Sequence, residues 1–596
     1  MVEKVAQFKY APQYPMEVKA GEKSYVKNAV ADKVVKGVQY DLSDQLETSG
    51  INRSPVRTEY SWHTQTGAIL TVDEDYLEKD GVFTFLTAPA DSVFCVMRSI
   101  AFPDLISSNG LQTELVKIVA EKGDELLPVV TMTSTVDGES ERTLQFGTYK
   151  ADGSIIAVDW GDGIVKTDSV CTRNSELSKY PVKGIAKGEG RITVYACDSV
   201  WYFATSGGSQ LKDLDLTNIP YVQQISITGV GLETIDVSKC DSLRVLSFNN
   251  NPTKTLDLSK NPKLSSLTVN ATTASKYESQ LESIDLSNNP ELTYLSLQGN
   301  QNTAGKLTTV DLTANTKLES LFLQYNALTE VKLGDNAITL LNVQNNQLAT
   351  LDLTKLPKLK NLYASDNKLT ALDFSALQAG GDINIYNNEL TAVDIPVTVK
   401  TVSAQNNKIT AVSLAGVSGS NCKFENNCLT LATIPAQPEG MNTANKTKKF
   451  TYAPQADLQV SEDLNTLDLS AQLTVAKGEL NPEGFTEWLS GTTTYTVKTA
   501  AGTALTEGTD YSIEGGVITF MKNQTEKVYV EMLNAALPKF TAEAPFKTTA
   551  FTVSNANAIR NAKVSANDGK IYNLKGVEVK NPTKGLYIQN GKVIMK

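Results

Sequence analysis

A chain of 596 residues with a single histidine, His63, offers little to acid–base chemistry. A histidine-based hydrolase or a multi-histidine metal site has almost nothing to work with. Six cysteines (Cys95, Cys171, Cys197, Cys240, Cys422, Cys428) form no CxxC, which removes zinc ribbons and thioredoxin-type exchange. Cys171 and Cys197 flank one polar segment and could pair in an oxidising compartment. Carboxylates are plentiful, and a glycoside hydrolase needs only two. Here they recur as a column (Asp215, Asp236, Asp257, Asp285, Asp311, Asp352, Asp373, Asp394), broken by Lys332, with no unique pair and no catalytic motif. Each could bond to the Ser or Thr two residues on or to nearby N–H groups, and a calcium-binding column is the alternative. Neither a cofactor nor a metal is assigned. What remains is non-covalent chemistry. Tyr294, Phe322, Tyr325, Tyr363 and Tyr386 stand among Gln298, Gln324, Asn342, Gln344, Asn384 and Gln405. Rings set among neutral hydrogen-bonding groups suit sugar rings, or a protein partner anchored by tyrosines.

The elements that must position these side chains follow from one recurring pattern, Leu-x-x-Leu-x-Leu-x-x-Asn. Clean copies are Leu292/Leu295/Leu297/Asn300, Leu318/Leu321/Leu323/Asn326 and Ile338/Leu341/Val343/Asn346. Half-units such as LETIDVS, LESIDLS and LATLDLT alternate with them, giving a period near 21. Apolar residues at the fourth and sixth positions, with polar residues between, make a short strand with one face inward, and successive coils stack as a parallel sheet. At the ninth position the chain leaves the strand, and an Asn there offers donor and acceptor to backbone groups that cannot join the ladder. The pattern is that of a leucine-rich repeat. The leucines and asparagines are then structural, and the residues between the strand leucines line the outward, concave face. Two coils carry insertions, Asn270 to Gln280 and Gln298 to Lys306, expected on one edge.

Around the solenoid, expected at 200–440, the chain divides further, as its length requires. Residues 1–125 read as an all-β sandwich with a sibling at 441–553. FKYAPQ at 8 to 13 returns as FTYAPQ at 450 to 455, and residues 60 to 85 match 495 to 520 without gaps. The shared Thr-x-x-Gly-x-x-Leu, Asp-Tyr and Gly-Val-x-Thr-Phe resemble bacterial surface Ig-like domains, with Gly67 and Gly502 in tight turns. His63 aligns with Lys498 and reads as an exposed strand residue. Residues 126–199 contain VDWGDG, which resembles the hairpin of PKD-like domains and reads as a β cap whose Asp159 and Asp162 belong to a turn. The stretch PAQPEGMNTANKTKK, 435 to 449, reads as a linker. The tail, 554–596, reads as a β meander and resembles sorting tails of type IX secretion.

The whole chain resembles internalin-like surface proteins, a bacterial leucine-rich repeat solenoid flanked by Ig-like domains. That resemblance implies a secreted or cell-surface, adhesin-like binding protein whose signal segment has been removed, with an extracellular protein or glycan as partner. A net charge of −11 and the absence of a Lys/Arg block argue against nucleic acid, and no run of about 20 apolar residues suggests membrane insertion. The rival readings are a carboxylate glycosidase and a passive spacer.

Overall fold

The computed structural model describes residues 16, 20–28, 33–49, 55–102, 110–118, 126–149, 155–169, 171–172, 181–196, 199–414, 417–435, 449–475, 491–554, 570–573, 578–580, 582–583, 586–589 and 592–595. The chain forms two compact units, Met1–Leu307 and Thr308–Lys596, and the repeats run through both. The fold is mainly β, a leucine-rich-repeat-like solenoid with small antiparallel sheets beside it. Among the described residues, helix is confined to the single 3₁₀ turns Ser43–Gln45 and Ser470–Gln472.

In Met1–Leu307, one antiparallel sheet runs in the order Ala20–Asn28, Lys33–Asp41, Val82–Phe85, Tyr76–Lys79, and a second joins Glu59–Thr64, Val93–Arg98 and Leu111–Gln112. Trp62, Tyr76, Phe83, Phe85 and Met97 fill the core, with Trp62 edge-on to Phe85 at 4.9 Å. Two strands that follow meet the solenoid. Glu141–Thr148 pairs antiparallel with Val200–Gly207, the first strand of the main parallel sheet. Leu127–Ser134 pairs with Leu211–Asp215. Both strands that open the array are thus covered, where bare edges would offer unpaired N–H and C=O groups to other chains. In the VDWGDG hairpin, Asp159 Oδ1 accepts the N–H groups of Gly161 and Gly163 at 2.9 and 3.0 Å. Asp162 takes the Lys187 ammonium at 2.6 Å. Trp160 lies so close to Gly184 that a β-carbon there would sit 2.2 Å from the ring. The two carboxylates are spent on the turn.

The coils stack in register. Phe203, Ile225, Leu246, Leu267 and Leu295 face one another across the parallel strands of the first unit. Leu321, Leu341, Leu362, Ile383, Val402, Cys422 and Phe450 do so in the second. Cys422 takes a leucine's place as a buried hydrophobe, and Cys240 is buried at the ninth position of its half-unit. The last rung corrects the sequence reading: Lys449–Thr451 pairs parallel with Val417–Lys423, so FTYAPQ closes the solenoid rather than opening the sandwich. Its Gln455 finishes the asparagine column, accepting from Leu429 N–H at 3.0 Å and donating to Phe424 O at 2.8 Å. The earlier FKYAPQ and residues 436 to 448 of the linker lie outside the described residues, as do the side chains of Cys171 and Cys197.

The ninth-position asparagines act as expected. Asn346 Nδ2 donates to Leu323 O at 3.0 Å and Val343 O at 2.9 Å, and its Oδ1 accepts Leu328 N–H at 3.0 Å. Asn367, Asn388, Asn407 and Asn427 repeat the arrangement. A second column was not anticipated. Asn261 and Asn289, in the first unit, donate to carbonyls of the matching half-unit one coil earlier, as Asn336 does in the second. Its signal was present in DLSKN, DLSNN and KLGDN, where the half-units complete the same nine-residue pattern.

After the solenoid, Thr466–Asp468, Val517–Phe520 and Tyr511–Glu514 form one antiparallel sheet, and Thr494–Thr499, Val528–Leu533 and Phe546–Lys547 another. The sequence duplication is repeated in detail. Tyr495 Oη donates to Leu469 O at 3.1 Å, as Tyr60 Oη does to Leu42 O at 3.1 Å. Thr506 N–H bonds Asp510 as Thr71 N–H bonds Asp75, both at 2.9 Å. Ile571–Asn573, Leu586–Gln589 and Lys592–Met595 form a three-stranded antiparallel meander.

Candidate functional site

The sequence-based candidates divide between the units. Tyr294 and Gln298 belong to Met1–Leu307, where Tyr294 stands opposite Ser266 and the Gln298 N–H donates to Asn270 Oδ1 at 2.9 Å. The others belong to Thr308–Lys596. There Phe322, Asn342, Tyr363, Asn384, Ser403 and Lys423 occupy one register row on the outward face of the parallel strands. With strands about 4.8 Å apart, Phe322 and Tyr363 are about 10 Å apart across Asn342. Tyr386 lies two residues beyond Asn384 on the same face, in the row that also holds Gln344, Ser365, Gln405 and Glu425. These rings and amides are half-buried, because each side chain is flanked by its counterparts on the adjacent coils.

Two candidates are misplaced by the sequence reading. Gln324 lies in the Gln344 row but is buried, with 8% of its surface exposed. Tyr325 is not on the strand face. It has φ +60°, in a turn position shared by Asn345, Asp366, Asn387, Asn406 and Asn426, all with positive φ. Asn and Asp tolerate that left-handed conformation better than other side-chain-bearing residues, and tyrosine does so at some cost.

That turn column makes a structure the sequence reading missed. Asn387 Nδ2 donates to Asp366 Oδ1 at 2.6 Å, Asn406 Nδ2 to Asn387 Oδ1 at 2.6 Å, and Asn426 Nδ2 to Asn406 Oδ1 at 2.8 Å. All the amides point the same way, toward the one carboxylate. The doubled asparagines at 387–388, 406–407 and 426–427 were the available signal. The first of each pair makes this exposed chain and the second makes the buried ladder.

The electrostatics of the outward face are modest. Burial, followed by the nearby Asp382 charge, pushes the Tyr363 phenol up, so it stays a neutral donor. Asn384 Oδ1, Gln405 Oε1, Glu425 Oε2 and Ser365 Oγ are enclosed and meet no protein hydrogen-bond partner among the described residues. No ring contact joins Tyr363, Tyr386 and Tyr325 among the described residues. These three rings therefore do not stack on one another.

Elsewhere most of the aspartate column is occupied. Asp215, Asp236, Asp257, Asp285, Asp311, Asp352 and Asp373 each accept the N–H two residues on, at 2.8 to 3.1 Å. The hydroxyl and then the N–H of Ser259, Thr313 and Thr354 hold Asp257, Asp311 and Asp352 below the ordinary carboxylate range. At Asp236 and Asp373 the N–H of Ser238 or Ser375 leads and its hydroxyl follows. His63 is half-buried rather than exposed, stacked on Phe94 at 5.5 Å and bonded to Ser61 Oγ at 2.9 Å. Burial pushes the Cys95 and Cys240 thiols up to about 12, so neither is a ready nucleophile. The insertion at 270 to 280 folds back: the Tyr277 hydroxyl would lie 2.6 Å from a β-carbon at Gly231, whose φ is +85°.

No protein-family model matches the chain, and no curated protein does. Solved structures resemble it at low identity. The functional domain of InlJ from Listeria monocytogenes, described as including a cysteine ladder, is 14% identical over 58% of this chain and 89% of its own, with a TM-score of 0.27. A leucine-rich repeat protein of Leptospira interrogans is 17% identical over 36% of this chain and 69% of its own, with a TM-score of 0.24. The leucine-rich repeat domain of APL1B is 18% identical over 50% and 86%, with a TM-score of 0.29.

Proposed function

We propose that the protein is a bacterial extracellular or cell-surface binding protein that takes a protein partner on the outward face of strands 320 to 425. One observation carries this reading. Tyr363 and Tyr386 are held half-buried and unstacked beside the acceptors of Asn384, Gln405 and Glu425, which meet no protein donor among the described residues. An enclosed acceptor without a partner costs about 1–3 kcal/mol, and a stacked array gains nothing structural from it. A partner supplying N–H or O–H groups would remove that cost as the side chains turn toward it. Tyrosines set in such a field are the residues on which interface energy concentrates. Asp382, Lys423 and Glu425 on the same face would supply a charged rim.

The adhesin role, the Ig-like character of the two flanking sandwiches and a sorting role for the tail belong to the same proposal. The internalin-like sequence resemblance and the parallel duplication of the sandwiches support it. The test is an array of extracellular proteins and glycans probed with the full chain, wild type beside Tyr363→Ala/Tyr386→Ala. A protein hit that is lost in the double variant supports the reading. Hits confined to glycans, or protein hits indifferent to the substitution, would move the site or change the ligand class.

A further inference from the structure

A different surface, in Met1–Leu307, has the form of a small-molecule site. Three strands meet there: Glu141–Thr148 and Val200–Gly207 are antiparallel, and Val200–Gly207 and Gln224–Thr228 are parallel. Their register sets Gln145, Ala204 and Ser226 in one row, and Thr143, Ser206 and Thr228 in the next. Ala204 therefore sits at the centre of a patch of larger side chains. Its methyl group is the floor of a half-open cleft of about 120 Å³, and only 8% of it is exposed.

The walls are neutral. Tyr202 closes one end, buried, with its hydroxyl bonded to Gln145 Oε1 at 3.3 Å. That bond orients the Gln145 amide and leaves its two N–H groups to donate. Ser206, Ser226, Thr143 and Thr228 add hydroxyls that can both donate and accept. No charged side chain lines the cleft. A single water needs only about 10–15 Å³ of such space, so the cleft, at about 120 Å³, holds several. That is small beside the several hundred Å³ of a site for a larger ligand.

We propose that this cleft binds one neutral pyranose residue, presented as the free sugar or as the terminus of a glycan. A pyranose ring has an apolar C–H face and a rim of hydroxyls. The Ala204 methyl and the Tyr202 ring would meet the first, and the Gln145 amide with the Ser and Thr hydroxyls would meet the second. The lack of any cationic group selects against sialic acid and sugar phosphates, whose charge would be desolvated without a partner. The cleft shares no residue with the proposed protein-binding face.

The experiment titrates the full chain with glucose, galactose, mannose, fucose, N-acetylglucosamine and N-acetylneuraminic acid, read by saturation-transfer NMR and calorimetry. Ala204→Leu fills the floor and Gln145→Ala removes the donor amide; thermal melts identify variants that remain folded. The expected result is saturable binding of at least one neutral sugar. Affinity should fall at least about tenfold, or about 1.4 kcal/mol, in whichever of these variants melts like wild type. Tyr363→Ala/Tyr386→Ala should bind the sugar as wild type does. The proposal is overturned if no neutral sugar saturates, if binding survives both cleft variants, or if N-acetylneuraminic acid binds as well as the neutral sugars. Loss of the protein partner alone, with sugar binding intact, would count only against the other site.

Discussion

Asn346 illustrates what single residues do in this molecule. Its side chain serves carbonyls of two coils and an N–H of the turn between them, so truncation leaves buried groups that no water can reach. Asn346→Ala should lower unfolding free energy by about 1–3 kcal/mol in urea titrations. Leu321, fully buried, should cost about 2–5 kcal/mol as Leu321→Ala, through lost burial and the cavity left behind. The aspartates give a pH dependence of defined sign. The folded chain holds their protons less tightly than the unfolded chain does. Their contribution is fully present above an unfolded carboxylate value of about 4 and is lost as pH falls through the lower folded values. Urea midpoints taken from neutral pH downward should therefore drop below about pH 4, and less so when Asp257, Asp311 and Asp352 are all replaced by Asn. Identical profiles would show that these bonds do not differ between the folded and unfolded chains.

At the scale of elements, the nine-residue pattern was legible because each position has one physical task. The strand leucines, the ladder asparagines and the inward and outward alternation follow from period-two geometry and from backbone groups needing partners. What was not legible depended on the neighbouring coil. Tyr325 looks like an outward strand residue until the turn gives it a positive φ, and Gln324 looks exposed until stacking covers it. FTYAPQ was assigned by its likeness to FKYAPQ, whereas its apolar spacing, Phe450, Tyr452 and then Gln455, already fitted one more coil. The duplicated sandwiches offer a test at this scale. Gly81 and Gly516 have φ +79° and +84°, and a β-carbon at either would approach the backbone of Ser43 or Ser470 at 2.9 Å. Gly516→Ala should destabilise by more than the about 1 kcal/mol that a permitted Gly→Ala change can stabilise, and Gly81→Ala should do the same. Differential scanning calorimetry of the two variants checks this, and a neutral result in either would mean that the shared turn can relax.

For the whole molecule, the division of labour is between a core that specifies geometry and a face that does not need its own composition to fold. The leucine and asparagine columns close the solenoid, and the strands at 127–134 and 141–148 cover its first edges. Nothing in that scaffold calls for tyrosines at 363 and 386 or for acceptors left without donors between them. The same excess was visible in the sequence as rings among amides, but its arrangement in separate rows was not, because row membership depends on where each strand begins. The measurement that tests this account most directly is biolayer interferometry of an array-identified protein partner against three forms of the full chain. These are wild type, Tyr363→Ala/Tyr386→Ala and Asp352→Ala/Asp373→Ala, with melting temperatures as the control for folding. The tyrosine pair should weaken binding by at least about 2 kcal/mol, the threshold of an interface hot spot, while the aspartate pair should leave it within about twofold. Unchanged affinity in a folded tyrosine variant would contradict it.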